Sequence, residues 1–236
     1  MNIILTDMTM LSGQHVCIAG VLFGSDFCIR PDLKWTVHAC RARGLMPGDG
    51  LQGDFDSSGS PPPHVEDHRP QGQPMYGRLE RAHLRCALER TQAGSVAEGF
   101  GCELPVGEKS LYSEACRPIK SIVTIRVAPD SIQLYWDDYR AEPQLRVGFQ
   151  DGSGMRFVRP YKDLLPVEYM KNNQLDDDVL RRMRRFIDYA EDVFLRIGLS
   201  RVWESPHDGR RGYWLQVNGI HTFPDPLFSD WDTPMF

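Results

Sequence analysis

The chain has 236 residues, of which 41% are hydrophobic and 25% charged, and this balance excludes an intrinsically disordered protein. Its formal net charge of -5 excludes a strongly basic protein that binds nucleic acid without sequence preference. The charge is spread evenly, since residues 1–120 carry 12 Lys and Arg against 14 Asp and Glu, and residues 121–236 carry 15 against 18. Any affinity for nucleic acid must therefore come from a local patch.

The first thirty residues predict a small antiparallel meander of three strands. The runs are NIILTDMTM, QHVCIAGVLF and DFCIRP, with Ser- and Gly-bearing breaks between them. Residues 44–75 are rich in Gly, Pro, Ser and Asp, so we expect a long surface loop there. Residues 79–91 contain helix formers, with Leu84 and Leu88 one turn apart, and this spacing predicts a helix.

The second half alternates short β-rich runs with turn residues and then changes to a helical pattern. The predicted strands are 121–127, 131–137, 144–150 and 155–160, followed later by 193–203 and 212–223. Between the two groups, apolar residues recur at helical spacing over 176–191, and the acids at its start suit a helix N-terminus. A helix placed before the last two strands matches the five-stranded OB barrel.

The opening MNIILTDMTML contains Asp7 and lacks the basic start and the cleavage site of a secretory signal. No run of about 18 apolar residues is present to cross a membrane. The six cysteines form no C-x-x-C pair, and without an export signal they favour free thiols in a reducing compartment. We therefore expect a cytoplasmic protein with no membrane partner.

Four pieces of the sequence are distinctive in their order: ILTDMTMLSGQHVCIAGV, IRP at 29–31, PHVEDH at 63–68, and LRIGLSRVW followed by YWLQVNGIHTFPDPL. In this order they resemble the dual OB-containing domain, a bacterial family of mobile and defence-associated gene neighbourhoods. The resemblance implies a mainly β chain with a few helices (α+β), built as two tandem OB-like five-stranded barrels packed together. The implied units are residues 1–118, with the 44–75 loop and the helix near 79–91, and residues 119–236, with the helix 176–191. The resemblance also implies a role in binding nucleic acid, and it implies no catalytic residue.

The stretch PPPHVEDHRP, residues 61–70, holds the densest cluster of candidate functional side chains. Consecutive prolines favour an extended backbone, which would project His64, Glu66 and His68 to one side and Asp67 to the other. A His/Glu/His face suits zinc or manganese, and such a metal could activate water against a phosphodiester. The same groups could instead contact a base edge, or cap turns and pair with arginines. No second ligand-bearing motif follows, so we expect no cofactor, with a divalent metal as the alternative.

The last two predicted strands carry a second group of candidates. Alternation places Trp214, Gln216 and Asn218 on one face of a strand, with His221 following. OB barrels bind single strands by stacking bases on aromatic rings, so Trp214 is a candidate platform and the polar residues are candidate readers of base edges. A tryptophan that fills the interior of a barrel is the structural alternative.

Arginines are the third group of candidates. Arg30, Arg156 and Arg159 could follow a phosphate backbone. The RRMRR run at 181–185 is explained as the solvated face of an amphipathic helix.

Together these residues predict a protein that recognises DNA or RNA, single strands included, or a nucleotide-like ligand in a cleft bordered by the 44–75 loop. The resemblance places it in a bacterial genome-defence or nucleic-acid-modification system, with a protein partner from the same system. One alternative is a metal-dependent nuclease or nucleotide hydrolase that uses His64, Glu66, Asp67 and His68. Another is an adaptor that binds only proteins. The P-loop, nucleophile-elbow, dinucleotide and H-E-x-x-H motifs are missing from the sequence, so an enzyme is the less favoured interpretation.

Overall fold

A computed structural model describes residues 1–11, 14–104, 110–137, 143–173 and 176–236. The described residues form a mainly β fold with a few helices, as the sequence predicts. The helices are α1 (Val37–Ala42), α2 (Arg81–Arg90), α3 (Val96–Phe100), α4 (Leu164–Asn172) and α5 (Asp177–Asp188). None of the helices in this part of the chain has the length and apolar character to cross a membrane.

The first sheet has seven strands and is open at both edges. Its spatial order is β5 (Phe55–Ser57), β6 (Asp67–Pro70), β3 (Cys28–Pro31), β2 (Val16–Leu22), β1 (Asn2–Met10), β4 (Gly50–Gln52) and β7 (Met75–Gly77). The predicted meander is confirmed, because β1 pairs antiparallel with β2 and β2 pairs antiparallel with β3. Residues 3–9 of β1 are all buried, so both faces of this central strand are covered.

Two further sheets come mainly from the second half of the chain. One has the order β8 (Gln92–Ala93), β10 (Ile122–Val127), β14 (Asp192–Glu204), β15 (Arg211–Phe223) and β9 (Leu111–Tyr112). The other has the order β11 (Gln133–Asp137), β12 (Gln144–Gln150) and β13 (Arg156–Pro160). All six strands predicted in this half are therefore confirmed, with small changes at their ends.

The two predicted helices are also confirmed. α2 occupies most of 79–91, and α5 begins after Asp176, whose side chain accepts a hydrogen bond from the backbone amide of Asp178 at 2.8 Å. Val179, Leu180, Met183 and Ile187 form the buried face of α5, as their spacing predicts. Three short helices, α1, α3 and α4, were not predicted, because six, five and nine residues respectively are too few for a clear periodic pattern.

The three sheets meet around one core. A parallel bridge between Tyr161 and Val217 joins the end of β13 to β15, and an antiparallel bridge between Thr9 and Asp163 joins the same segment to β1. The larger cluster of buried hydrophobic side chains runs from Ile3 to Trp231, and a smaller one packs α2 against β1, β2, β14 and β15. β8 and β9, which precede residue 118, pair in a sheet of the second half. The division at 118/119 stays a prediction, and two five-stranded OB-like barrels are not confirmed, since the first sheet is curled but open.

The segment 44–75 is not one long surface loop, which corrects the prediction. It contains β4, β5, β6 and the start of β7, and its Gly and Pro residues form the turns between these short strands. It also buries His64, Glu66 and His68, which are 6%, 2% and 5% exposed. The polar composition of this segment therefore does not predict its exposure, because His64, Glu66 and His68 are buried by residues far away in the sequence.

Candidate functional site

A groove of about 720 Å³ lies between the first sheet and the β14–β15 hairpin. Strands β1, β2 and β3 line one side, and β14, β15 and the residues that begin β10 line the other. The predicted site residues that line it are Arg30, His64, Asp67, Gln216 and Asn218, together with His68 of the PHVEDH stretch. The fold thus brings together half of the ten predicted ligand contacts, from three separate parts of the chain.

Asp67 is the centre of a cluster of cations at the groove. Its Oδ1 accepts from Arg30 Nε at 2.7 Å, and its Oδ2 accepts from Ser60 Oγ at 2.9 Å and Arg201 Nη2 at 2.6 Å. Burial opposes ionisation of Asp67, but the hydrogen bonds from Arg201 and Arg30 outweigh it and lower the pKa of the carboxyl group. Each oxygen of Asp67 accepts a hydrogen bond from an arginine, so the carboxylate positions two arginines at the groove. The contact of Asp67 with a ligand stays a prediction.

Arg201 was missed in the sequence. It lies at the end of a strand, 134 residues after Asp67, and its side chain is 62% exposed although one end is held by that carboxylate. Its position in LRIGLSRVW gives little indication of a binding role, because the rest of that run has the apolar pattern of a core strand. A contact over that distance requires the tertiary structure.

His64 is held in its neutral form beside Arg30. Nη2 of Arg30 donates to Nδ1 of His64 at 3.0 Å, and the ring lies edge-on to Tyr213, with 5.9 Å between the centroids. Burial, together with the charges of Arg201 and Arg30, lowers the pKa of His64 to about 4. With Nδ1 as an acceptor, the proton of the neutral ring lies on Nε2.

The His64, Glu66 and His68 face, which was the alternative metal site, is not formed. The chain turns at this point instead of extending, with the His64 amide donating to Pro61 O at 3.1 Å and the Asp67 amide donating to His64 O at 3.3 Å. The three side chains consequently take different partners. Across the described ranges, no group of three or more His, Cys, Asp or Glu side chains is arranged to hold a metal ion.

Glu66 lies behind the groove and links the two halves of the chain. Its Oε1 accepts from the backbone amides of Ser121 and Ile122 at 2.7 and 3.2 Å, and its Oε2 accepts from Ser121 Oγ at 2.8 Å. His68 Nδ1 donates to the carbonyl oxygen of Glu66 at 2.8 Å. Glu66, a predicted ligand contact, does not line the groove, and its carboxylate holds the start of β10 against the groove.

Two side-chain amides form the wall of the groove on β15. Nε2 of Gln216 donates to Oδ1 of Asn218 at 2.8 Å. Asn218 lies directly against Gly198 of the neighbouring strand, where an added Cβ would come within 2.5 Å of its Nδ2. Gly198 therefore leaves the space in which the Asn218 amide lies. The prediction that these two residues share a face is confirmed.

Trp214 does not share the groove with them. Its Nε1 donates to Trp203 O at 2.9 Å, its ring lies edge-on to Trp203, and the guanidinium of Arg210 lies 5.2 Å from the ring centroid. The pairing of β14 with β15 is irregular between Leu199 and Val202, next to this point. The extra residue lies on β14, so the alternation along β15 is unbroken. Trp214 lies beyond the groove and belongs to a separate cluster at the far end of the hairpin.

The remaining predicted residues also lie outside the groove. His221 is 5% exposed, its Nε2 donates to Thr6 O at 2.9 Å, and burial lowers its pKa to about 4. Arg156 and Arg159 lie on β13, a strand that contributes no residue to the groove lining.

Asp7, which lines the groove, belongs to a buried ion pair that the sequence analysis does not identify. Oδ2 of Asp7, on β1, accepts from Nε of Arg196, on β14, at 2.9 Å, and the two side chains are 2% and 0% exposed. Nη1 of Arg196 donates to Thr124 Oγ1 at 2.7 Å. The sequence does contain an indication of this pair, because NIILTDMTM and FLRIGL each hold a single charge in an apolar strand, and a buried charge needs an opposite partner.

No protein-family model matches this chain. The search of curated proteins finds no match either. The membership of the dual OB-containing domain family therefore stays a prediction, and the site rests on its own geometry.

The arrangement is suited to binding an anionic ligand that also has polar edges. Arg30 and Arg201 share the single carboxylate of Asp67, and Arg69 and Lys34 also line the groove. The volume lies within the range of about 300–1,000 Å³ that small-molecule sites have. Guanidinium groups bind phosphate oxygens, and the amides of Gln216 and Asn218 offer both donors and acceptors.

Proposed function

We propose that the protein binds single-stranded nucleic acid and that the groove holds one nucleotide unit of the strand. The observation that carries this proposal is the convergence of two arginines on Asp67 in the same groove as the amides of Gln216 and Asn218. One end of the groove suits a phosphate and the opposite wall suits the edge of a base. DNA and RNA are both candidates for the strand.

The argument for a phosphate rests on charge. Two guanidinium groups surround one carboxylate, so this point of the groove keeps a net positive charge after the ion pairs form. Asp67 also holds the arginines in place before a ligand arrives, which reduces the entropy cost of binding. A chain with a net charge of -5 would repel nucleic acid elsewhere, so a local patch of this kind is what binding requires.

The argument for a base rests on hydrogen bonding. A side-chain amide can donate and accept at once, and unpaired bases expose edges with both functions. Gln216 and Asn218 already bond to each other, so they present their remaining groups together. Stacking on Trp214 is not part of the proposal, because that ring lies outside the groove.

The finer architecture and the cellular setting belong to the same proposal. Two OB-like barrels are supported by the order of strands, helices and two final strands in the second half, and by the bridge that joins β13 to β15. The resemblance in sequence supports a cytoplasmic role in bacterial genome defence or nucleic-acid modification, with a protein partner from that system.

The test is fluorescence anisotropy with labelled short DNA and RNA strands and their duplexes, across a salt series. The informative variant is Arg69→Ala/Arg201→Ala, and the matched control is Arg181→Ala/Arg182→Ala on α5, where both side chains are exposed and outside the groove. We expect the groove variant to weaken single-strand binding about tenfold and to reduce its salt dependence, whereas the control keeps both.

Several results would count against the proposal. The absence of saturable binding at low salt would favour the adaptor alternative, as would tight binding of a partner protein without nucleic acid. Equal loss of affinity in the groove variant and the α5 control would show that the contact is nonspecific. Cleavage that appears only with added manganese would instead support the metal-dependent nuclease.

A further inference from the structure

The face of the β14–β15 hairpin that forms the groove wall continues beyond the groove, toward the end of the hairpin. On β15, Trp214, Gln216 and Asn218 are spaced two residues apart, so their side chains lie on one face of the strand. On β14, Trp203 pairs with Gly212, whose position on β15 belongs to the same face. The face that presents the two amides to the groove therefore also carries both tryptophans.

Arg201 connects the groove to this end of the hairpin. The strand pairing is irregular here, and Ser200 and Arg201 together lie opposite Trp214. The Trp214 amide donates to Ser200 Oγ at 2.9 Å, and both Ser200 and Arg201 line the groove. Trp203 follows two residues after Arg201 on an extended strand, which places it about 7 Å farther along. A nucleic-acid strand whose phosphate lies at Arg201 can therefore reach Trp203.

Trp203 is the open ring of the tryptophan pair. The guanidinium of Arg210 lies 5.2 Å from the ring centroid of Trp214, and Nε1 of Trp214 donates to the carbonyl oxygen of Trp203 at 2.9 Å. The two indole rings are inclined by 67° with their centroids 5.6 Å apart, so Trp214 supports Trp203 from one side. Trp203 is nevertheless 47% exposed, although tryptophan is on average highly buried. A ring that is held in place and open to solvent is prepared for a flat partner.

We propose that Trp203 stacks on a base of the bound strand, next to the nucleotide unit that the groove holds. This inference rests on the function proposed for the groove and adds a second contact to the same site. Every base has a π-face, so stacking on an indole adds affinity with little dependence on sequence. The charges around the ring agree, since Arg201 lies on its face and alternation turns the carboxylate of Glu204 to the opposite one.

The test is fluorescence anisotropy of the full chain at low salt with two labelled strands of equal length. One is a short oligothymidylate or oligouridylate, whichever the wild type binds, and the other has abasic sites throughout. The abasic strand keeps the phosphates but has no base to stack. The variants are Trp203→Ala and Trp203→Phe, and the matched control is Tyr189→Ala, an aromatic residue that is 77% exposed and lies outside the groove.

We expect Trp203→Ala to bind the strand with bases about tenfold more weakly than wild type and to bind the abasic strand with unchanged affinity. Trp203→Phe keeps a ring and should recover most of the loss, whereas Tyr189→Ala should match wild type on both strands. Circular dichroism melting checks that each variant is folded. If Trp203→Ala does not fold, Trp203→Leu takes its place, because leucine keeps apolar packing against Trp214 but has no ring.

Three results would overturn the inference. If Trp203→Ala binds the strand with bases as tightly as wild type does, the ring makes no contact with a base, and the function proposed for the groove stands. An equal loss on both strands would show that Trp203 supports the hairpin and does not stack. If wild type binds neither strand, the inference fails together with the proposed function, and the exposed ring is then available to a protein partner.

Discussion

Glu66 accepts two hydrogen bonds from Ser121, one from the backbone amide at 2.7 Å and one from the side-chain hydroxyl at 2.8 Å. The pair joins a turn of the first half to the start of β10, and both residues are buried. We expect Glu66→Ala to destabilise the protein by about 3 kcal/mol, because it leaves two amides and a hydroxyl without an acceptor. Urea unfolding followed by circular dichroism measures this loss. Glu66→Gln is the control, since it keeps one acceptor oxygen and should lose about half as much.

Arg196 is a second buried group that needs its partner, because the carboxylate of Asp7 neutralises its charge in the core. Removing Asp7 leaves a guanidinium in the core with no opposite charge, so we expect Asp7→Leu to cost about 3–5 kcal/mol in unfolding free energy. The double variant Asp7→Leu/Arg196→Met should be clearly more stable than Asp7→Leu alone, because no buried charge then remains. Equal stabilities of the single and double variants would mean that the ion pair is not the source of the loss.

The neutral buried histidines predict destabilisation in acid. The pKa of both His64 and His221 is about 4 in the folded chain, against an ordinary value of 6.5. Between these values the unfolded chain binds protons that the folded chain does not, so stability falls as the pH falls from 6.5 to 4. The loss is up to roughly 3 kcal/mol for each histidine. In urea unfolding at several pH values, His221→Asn should flatten this slope, whereas His207→Asn, at an exposed position, should leave it unchanged.

We expect Asp163 to make the free energy of unfolding fall as the pH rises, which is the opposite of the effect of the two histidines. Its folded pKa of about 8 lies above the ordinary value of 3.8, so the folded chain keeps a proton that the unfolded chain releases. This contribution to stability is complete below pH 3.8 and is lost as the pH rises to about 8. We expect the unfolding free energy of Asp163→Asn, relative to wild type, to rise by about 1.4 kcal/mol per pH unit between pH 5 and 8. A constant difference over that range would show that Asp163 is ionised in the folded protein.

Gly198 offers a way to alter the groove without removing any of its polar groups. A Cβ at this position would come within 2.5 Å of the Asn218 amide, so Gly198→Ala should displace that amide and break its hydrogen bond with Gln216. If the groove binds a nucleotide unit as proposed, affinity for single strands should fall by about five- to tenfold in anisotropy titrations. Gly77→Ala, where an added Cβ meets nothing within 4 Å, is the matched control. Unchanged affinity in Gly198→Ala would remove Asn218 from the binding site.

The strands and the two longer helices were predictable because their signals are local. The β-rich runs of the second half, and the apolar positions of α5, depend on neighbours within a few residues of one another. The site was predictable only as a set of candidates. Of the PHVEDH stretch, His64, Asp67 and His68 line the groove, while Glu66 holds the fold together.

Local patterns in the sequence are therefore enough to predict the element types, the mainly β character and the position of the polar cluster between Pro63 and Pro70. The tertiary structure alone decided what each member of that cluster does. The partners of Asp67 and Glu66 lie 37, 134 and 55 residues away, at Arg30, Arg201 and Ser121. Hydrogen bonds and ion pairs act over only a few ångströms, so the role of a polar side chain is set by the groups that folding brings to it, and no local pattern in the chain records them.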